Sequence, residues 1–363
     1  MPRIAIVGAG IVGAAIAFEL SQIAELEVLL LDAKQPGQGS TQAALGILLG
    51  IISHKKQGRG WQLREQGIRA YQELLPVLEA RTGQPISRTQ GVLKLLTVED
   101  LTRWQKLQRT RHRQGYPLEI WTTEQTRSRY AWLPDRITGA IYSPQDGQIA
   151  PVPLTQALIT AAQQQGVETR FQTSILPLPA NPNTSRLQQL PTAQGAIPVD
   201  AVIVTAGLGS GGITQAQSSK IQLEPIIGQA WHLQLPQAWD LAATPPVITT
   251  DDIHLVPLAN RQVWLGATVE FPADCPTGLP SEHLKNDLWQ KALAVYPFLQ
   301  QAEILRHWHG KRPRPAGETT PVIRQLFPFE NVLIASGHYR NGVLLAPGTA
   351  KEVRAWVEAQ VSG

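Results

Sequence analysis

The 363-residue chain contains one cysteine, Cys275, so no disulfide can form within it. A lone cysteine also leaves a zinc site short of thiolates, and no His/Cys spacing completes one, so no metal is expected. Long hydrophobic runs are missing too. The longest covers residues 43–52 (AALGILLGII), far below the roughly twenty residues a helix needs to span a bilayer. No basic leader with an apolar stretch and cleavage site precedes the first strand, and the expected location is cytoplasmic. The charge surplus is small, 32 Lys and Arg against 28 Asp and Glu. The densest basic stretch, 103–113 (RWQKLQRTRHR), reads as a solvated helix face rather than a stripe for nucleic acid. Aromatic residues are few at 6%, and 10 of them are Trp, best read as core and interface packing.

What is present is a soluble globular composition, 43% hydrophobic and 17% charged, long enough for two or three domains. Residues 4–7 form a short, wholly apolar run, as in a central parallel strand. A glycine-punctuated turn over 8–13, an alanine-rich helix over 14–20 and an apolar strand over 27–31 complete a βαβ unit. Helices are expected over 61–82, 98–114, 123–130, 154–165, 281–298 and 345–361, a strand over 91–97, and buried strands over 201–205 and 331–335. Residues 221–235, 253–258 and 262–271 alternate with period two, the pattern of antiparallel strands with one covered face. Residues 181–198 read as a loop or hairpin. The fold class is therefore α/β: a Rossmann-like nucleotide-binding domain assembled from separate stretches, with an antiparallel substrate domain inserted. The expected division is 1–82, 140–215 and 312–363 for the first, and 83–139 and 216–311 for the second.

Gly8, Gly10 and Gly13 fit G-x-G-x-x-G between a strand and a helix. The first glycine permits the tight turn, the second the approach of a pyrophosphate, and the third close helix packing. Asp32 closes the second strand at the spacing of an acid that binds ribose hydroxyls, which disfavours a 2′-phosphate and leaves NAD and FAD open. Two further segments bear on that choice. Residues 39–47 (GSTQAALGI) are small and hydroxyl-rich, and 336–347 (SGHYRNGVLLAP) lie between the last strand and the last helix. A helix start there again presents backbone N–H groups to a ligand.

These stretches, with the turn at 204–211 (VTAGLGSG) and the LGAT of 265–268, resemble the D-amino-acid oxidase family of flavoenzymes, most closely its glycine oxidase branch. The resemblance implies non-covalent FAD, because Cys275 does not match the cysteine that carries flavin in related sarcosine oxidases. It implies backbone contacts from Ile11 and Val12 to the pyrophosphate, and from Asp32 and Ala33 to the adenosine. Ser40, Thr41, Leu45, Gly46 and Ile47 would follow the path toward the flavin, with Ile175 on the adenine side and Gly207 in the intervening turn. His338, Tyr339, Arg340, Asn341, Gly342, Val343 and Leu344 would wrap the ring system.

On the substrate side the resemblance implies Arg312 as a carboxylate clamp, a role suited to a planar guanidinium fork. Arg340 is a second candidate. His254 stands where the family often has a tyrosine, and Trp231, Trp264 and Trp308 are candidates to narrow the pocket. The implied reaction is hydride transfer from the α-carbon of glycine, a related small amine or a D-amino acid to the flavin. Its products are a 2-oxo acid, ammonia and, with O₂ as acceptor, hydrogen peroxide, and the imine can also feed thiazole formation for thiamine. Two alternatives stay open: a dehydrogenase that delivers electrons to a quinone, and a flavin-binding protein without turnover. Self-association into a homo-oligomer is also left open.

Overall fold

The computed structural model describes residues 1–97, 101–180, 185–236, 245–251 and 253–361. The opening unit forms as expected: strand Arg3–Val7, helix Ile11–Leu20, strand Glu27–Leu31. It sits in a six-stranded sheet whose order is Val322–Gln325, Val332–Ser336, Ala201–Val204, Arg3–Val7, Glu27–Leu31 and Glu168–Arg170. Pairing is parallel except at the Val322–Gln325 edge. Alternate residues serve two cores. Ile4, Ile6, Val28 and Leu30 join the cluster beneath the helices, whereas Ala5, Val7, Leu29 and Leu31 join the opposite one. Burial on both faces explains why these strands read as unbroken apolar runs. The helix Ile11–Leu20 is itself buried nearly all round, with alanines letting the helices Pro151–Gln163 and Gly342–Val361 approach closely.

The second sheet has nine strands. Its path runs Glu303–Pro315, Leu223–Gln234, Gln262–Gly266, Ile253–Pro257, Val247–Thr250, Arg88–Leu96, Gly139–Ile149 and Ile47–Leu48, with Glu119–Thr122 also paired to Gly139–Ile149. All pairs are antiparallel except Val247–Thr250 with Arg88–Leu96. Five of these strands, Ile47–Leu48, Glu119–Thr122, Gly139–Ile149, Val247–Thr250 and Glu303–Pro315, have no counterpart among the sequence-based expectations. The last alternates basic and aromatic residues along an exposed sheet edge, so hydrophobic periodicity does not announce it. Gly139–Ile149 spans the expected boundary at 140, and Glu303–Pro315 spans the one at 312.

Local signals set the helix ends. Thr122 and Gln125 form a reciprocal capping box, and the Ser281 hydroxyl accepts from Leu284 N–H at the start of Glu282–Val295. That helix ends at Val295, and Pro297–Gln301 continues as a 3₁₀ turn, because Pro297 cannot extend the α ladder. The helix expected over 98–114 is Leu101–Arg113, and 98–100 lie outside the described residues. Within 181–198, a hairpin pairs Gln189–Thr192 with Gly195–Pro198, while 181–184 lie outside the described residues.

The short helix Ser40–Ala43 joins the two sheets. Ser40 Oγ donates to Lys311 O (2.6 Å) and Trp308 Nε1 donates to Ala43 O (3.1 Å). Between them lies Gly310, where a Cβ would stand 2.1 Å from Ala43 Cβ. The absent side chain lets the helix seat directly on the edge strand, over one end of the cavity between the sheets.

Candidate active site

A cavity of about 1370 Å³ runs from the glycine turn to the nine-stranded sheet. Pockets for drug-sized ligands are about 300–1,000 Å³, so this one has room for a dinucleotide and a small second molecule. The floor at one end is the turn after Arg3–Val7. Gly8 has φ +114, and a Cβ there would meet Thr205 O at 2.7 Å. A Cβ on Gly13 would fall 1.8 Å from Gly8 O, so the helix rests directly on the turn. Asp32 fixes the same turn by accepting from Ala9 N–H (2.7 Å) and Lys34 N–H (2.8 Å), one on each carboxylate oxygen. Each oxygen keeps a further lone pair for a ligand hydroxyl. The Ile11 N–H donates to Thr41 Oγ1 (3.1 Å), tying the turn to the Ser40–Ala43 helix.

The opposite wall comes from residues 336–343. Gly337 and Tyr339 both have positive φ, which turns the chain sharply before Gly342 opens the last helix. Tyr339 N–H donates to Pro313 O (3.2 Å), joining this turn to the edge strand beside Arg312. The buried Tyr71 hydroxyl donates to Val343 O (2.5 Å), which anchors the helix start. His338 Nε2 pairs with Thr349 Oγ1 (2.9 Å) in full burial, and burial pushes its pKa down to about 3. The imidazole is therefore neutral at ordinary pH.

This has a consequence for stability. An unfolded histidine titrates near 6.5, so below that pH the unfolded chain binds a proton that the folded one refuses. Stability is highest above 6.5 and declines as pH falls toward 3, by about 2 kcal/mol between pH 7.5 and 5. Thermal melting of the wild type and His338→Asn at both pH values checks this. The variant should lose clearly less; equal losses would show that another group sets the slope.

A further wall of the cavity is a row across the nine-stranded sheet. Register places Lys94 beside Thr249, Thr249 beside His254, His254 beside Gly266, Gly266 beside Ala230, and Ala230 beside Trp308. Paired residues point to one face, and Lys94, Thr249, His254, Ala230 and Trp308 all line the cavity. Thr249 Oγ1 and His254 Nδ1 lie 2.8 Å apart. Arg312 stands on the same face of the edge strand, beyond Gly310. Its Nη1 donates to Ile227 O (3.1 Å) and Thr268 O (3.0 Å). A Cβ on Gly228 would fall 2.2 Å from Nη2, so the glycine makes space for the guanidinium.

Of the residues singled out in the sequence, Gly8, Gly10, Ile11, Val12, Asp32, Ala33, Ser40, Thr41, Leu45, Gly46, Ile47, Ile175, Gly207, His254, Arg312 and 338–343 line this cavity. Gly13 and Leu344 do not. Gly13 is enclosed by Gly8 and Thr205, and the Leu344 carbonyl packs against Gly67 of helix Arg59–Thr82. Of the three tryptophans, Trp308 lines the cavity. Trp264 packs edge-on behind it (5.9 Å between ring centres), and Trp231 packs at a tilt against Trp289 (5.4 Å) in the far core.

Sequence reasoning missed Lys94, Trp104, His54 and Arg306, which also line the cavity. A lysine inside the apolar run GVLKLLT is the signal that would have found Lys94. The reading of 103–113 as a solvated face also needs correction. Arg111 is fully buried, its ring of donors reaching Ile51 O, Ser53 O, Lys55 O and Gln114 Oε1, and it lies 3.6 Å over the Trp61 ring. From the other side, Asp146 accepts from Gly50, Ile51 and Ile52 N–H groups (2.7, 2.8 and 2.7 Å). The two side chains grip the 50–55 loop, which carries Ile52 and His54 to the cavity, with the His54 ring tilted against Trp104 at 4.7 Å.

The residues fit a dinucleotide with a bulky ring: a glycine turn that a Cβ would obstruct, an acid at its base, and a long cavity closed by a second helix start. The buried Cys275 lies outside this lining. Comparison with known proteins agrees. The chain is 28% identical to the glycine oxidase of Geobacillus kaustophilus over 366 residues, covering 98% of this chain and 92% of that protein. It is 27% identical to the bifunctional protein ThiO/ThiG of Nostoc sp. over 96% of its own length but 51% of that protein. The crystal structure of the Geobacillus kaustophilus glycine oxidase superposes with a TM-score of 0.86 at 25% identity, covering 99% of this chain and 95% of the other. Residues 3–356 match the FAD dependent oxidoreductase (DAO) family; the chain belongs to that family, and FAD is its cofactor.

Proposed function

We propose that the protein oxidises glycine and other small amines or D-amino acids to the 2-oxo acid and ammonia, with O₂ as the electron acceptor and hydrogen peroxide as the second product. The observation that carries this reading is Arg312, a guanidinium on the cavity wall held by two backbone carbonyls. A preset fork of this kind suits a carboxylate. His254, in the same wall, is proposed to hydrogen-bond the substrate, and Arg340, exposed at the cavity, to add positive charge. Trp104 and Trp308 limit the size of the group beside the α-carbon. The site residues divide between adenosine (Asp32, Ala33, Ile175), pyrophosphate (Gly8, Gly10, Ile11, Val12), and the ring system (Leu45, Gly46, Ile47 and 338–343). FAD, when bound, accepts two electrons from the substrate, so the protein's task is positioning and exclusion of water.

We assign the six-stranded sheet and its helices to an FAD-binding unit and the nine-stranded sheet to a substrate-binding unit. The joint expected at 140 then moves past Ile149, and the one at 312 past Pro315, to the ends of the strands they interrupt. The resemblance to ThiO/ThiG supports a role for the glycine imine in thiazole formation for thiamine. Oxygen uptake with glycine, sarcosine, D-alanine and D-proline tests the reaction, each compared with reduction of a quinone-like dye. Uptake with at least one of them is expected, matched by ammonia release where the substrate is glycine or D-alanine, by methylamine release for sarcosine, and by a cyclic imine that keeps its nitrogen for D-proline; dye reduction without oxygen uptake would reassign the protein as a dehydrogenase.

A further inference from the structure

Behind the Arg312 wall lies a carboxylate with no solvent contact. Glu270 is 0% exposed. Its Oε1 accepts from Gln229 Nε2 (2.7 Å) and from the Thr268 hydroxyl in a short contact. Its Oε2 accepts from Ser281 N–H (2.8 Å) and the Cys275 thiol (3.2 Å). Burial alone would raise its pKa, but the hydrogen bonds from Thr268, Ser281, Gln229 and Cys275 outweigh this and hold it below the usual range. All four donors are neutral, so the site holds a full negative charge without a directly bound cation.

That charge is wired to Arg312. Thr268 Oγ1, which donates to Glu270, also accepts from Gln229 N–H (2.8 Å). Ile227 and Glu270 exchange both backbone hydrogen bonds at 3.0 Å, and Thr268 N–H donates to Gln229 O at 3.2 Å. The result fixes two carbonyls, Ile227 O and Thr268 O, and these are the ones that receive Arg312 Nη1. Glu270 does not reach the cavity, whereas Arg312 does.

We infer that Glu270 is a positioning residue for carboxylate recognition, acting through Thr268 and Gln229 to set the two carbonyls that aim Arg312 into the cavity. The inference rests on Arg312 being the carboxylate clamp. A buried anion behind a guanidinium has two effects: it fixes the fork's orientation and it offsets part of the cost of desolvating the fork when a ligand arrives. A merely structural Glu270 would do neither.

The test is a double-mutant cycle on the FAD-loaded protein, read by the change that acetate produces in the visible flavin spectrum. Acetamide serves as the uncharged control of the same shape. Glu270→Gln is expected to weaken acetate by ~10-fold and acetamide little, and to cause no further loss when Arg312 is already alanine. Cys275→Ala removes one donor to Glu270 without touching the Thr268 link and should leave acetate binding near wild type. Where Glu270→Gln does not retain FAD, Thr268→Val cuts the same link with little change of shape and should show the same coupling. An equal loss of acetate with and without Arg312, or an equal loss of acetate and acetamide, would overturn the inference. If Arg312→Ala itself leaves acetate binding intact, the clamp falls, and the inference falls with it.

Discussion

Arg312→Ala is expected to weaken binding of small amino acids and of acetate about 100-fold while leaving FAD bound. The magnitude follows from losing a charge-assisted, two-point contact, about 3 kcal/mol. The separation of effects follows from position. Arg312 lies on the edge strand of the nine-stranded sheet, and its Nη1 partners are carbonyls of that same sheet region, Ile227 and Thr268. The hydrogen bonds that hold Asp32 at the glycine turn come from Ala9 N–H and Lys34 N–H. Arg312→Lys should recover only part of the binding, because an ammonium cannot hold two backbone carbonyls and still present a planar fork. Spectral titration with acetate and the KM for glycine measure both variants. A parallel loss of FAD and acetate would mean that the residue supports the fold rather than the substrate.

Gly13→Ala should abolish FAD retention. The added methyl would lie 1.8 Å from Gly8 O and 2.7 Å from Thr205 Oγ1, and the first of these is backbone with no rotamer to escape into. The helix must lift from the turn or the turn must unfold, at a cost of about 3 kcal/mol or more. Either movement withdraws the helix N-terminus from the pyrophosphate position. Gly212→Ala is the control, since a Cβ there meets nothing within 4 Å. FAD content per chain and melting temperature separate the two: Gly212→Ala should match wild type, and Gly13→Ala should yield apoprotein or none. Full FAD occupancy in Gly13→Ala would contradict the tight contact between Gly13 and Gly8 O.

The first thirty-two residues were legible because their requirements are local. A glycine that meets a carbonyl, an acid at the end of a strand and a helix that starts at a turn leave marks at fixed spacing. The return segment at 336–347 was legible for the same reason, with Gly337 and Gly342 flanking a turn before a helix. The sequence neighbours of Leu344 suggest a place beside the ring, but on a helix it packs against Gly67 rather than lining the cavity.

The cavity wall on the nine-stranded sheet was legible only in part. Lys94, His254 and Trp308 come from strands distant in sequence and meet only through sheet register, which no single segment encodes. The strand Glu303–Pro315 lay hidden because edge exposure removes the hydrophobic alternation on which strand reading depends. Arg111 misled for a related reason. A helix rich in arginine reads as solvated, yet this one side chain turns inward to carbonyls supplied by a loop some sixty residues away. Glu270 carried no signal at all, since its four donors are brought together by a bridge to Ile227 and a helix cap at Ser281.

The most direct measurement is anaerobic mixing of the FAD-loaded protein with glycine, followed in the visible flavin bands. Loss of the oxidised absorbance is expected with glycine, at a rate that saturates with concentration, and its return on admitting air with formation of hydrogen peroxide. An unchanged spectrum with glycine, sarcosine, D-alanine and D-proline alike would contradict it.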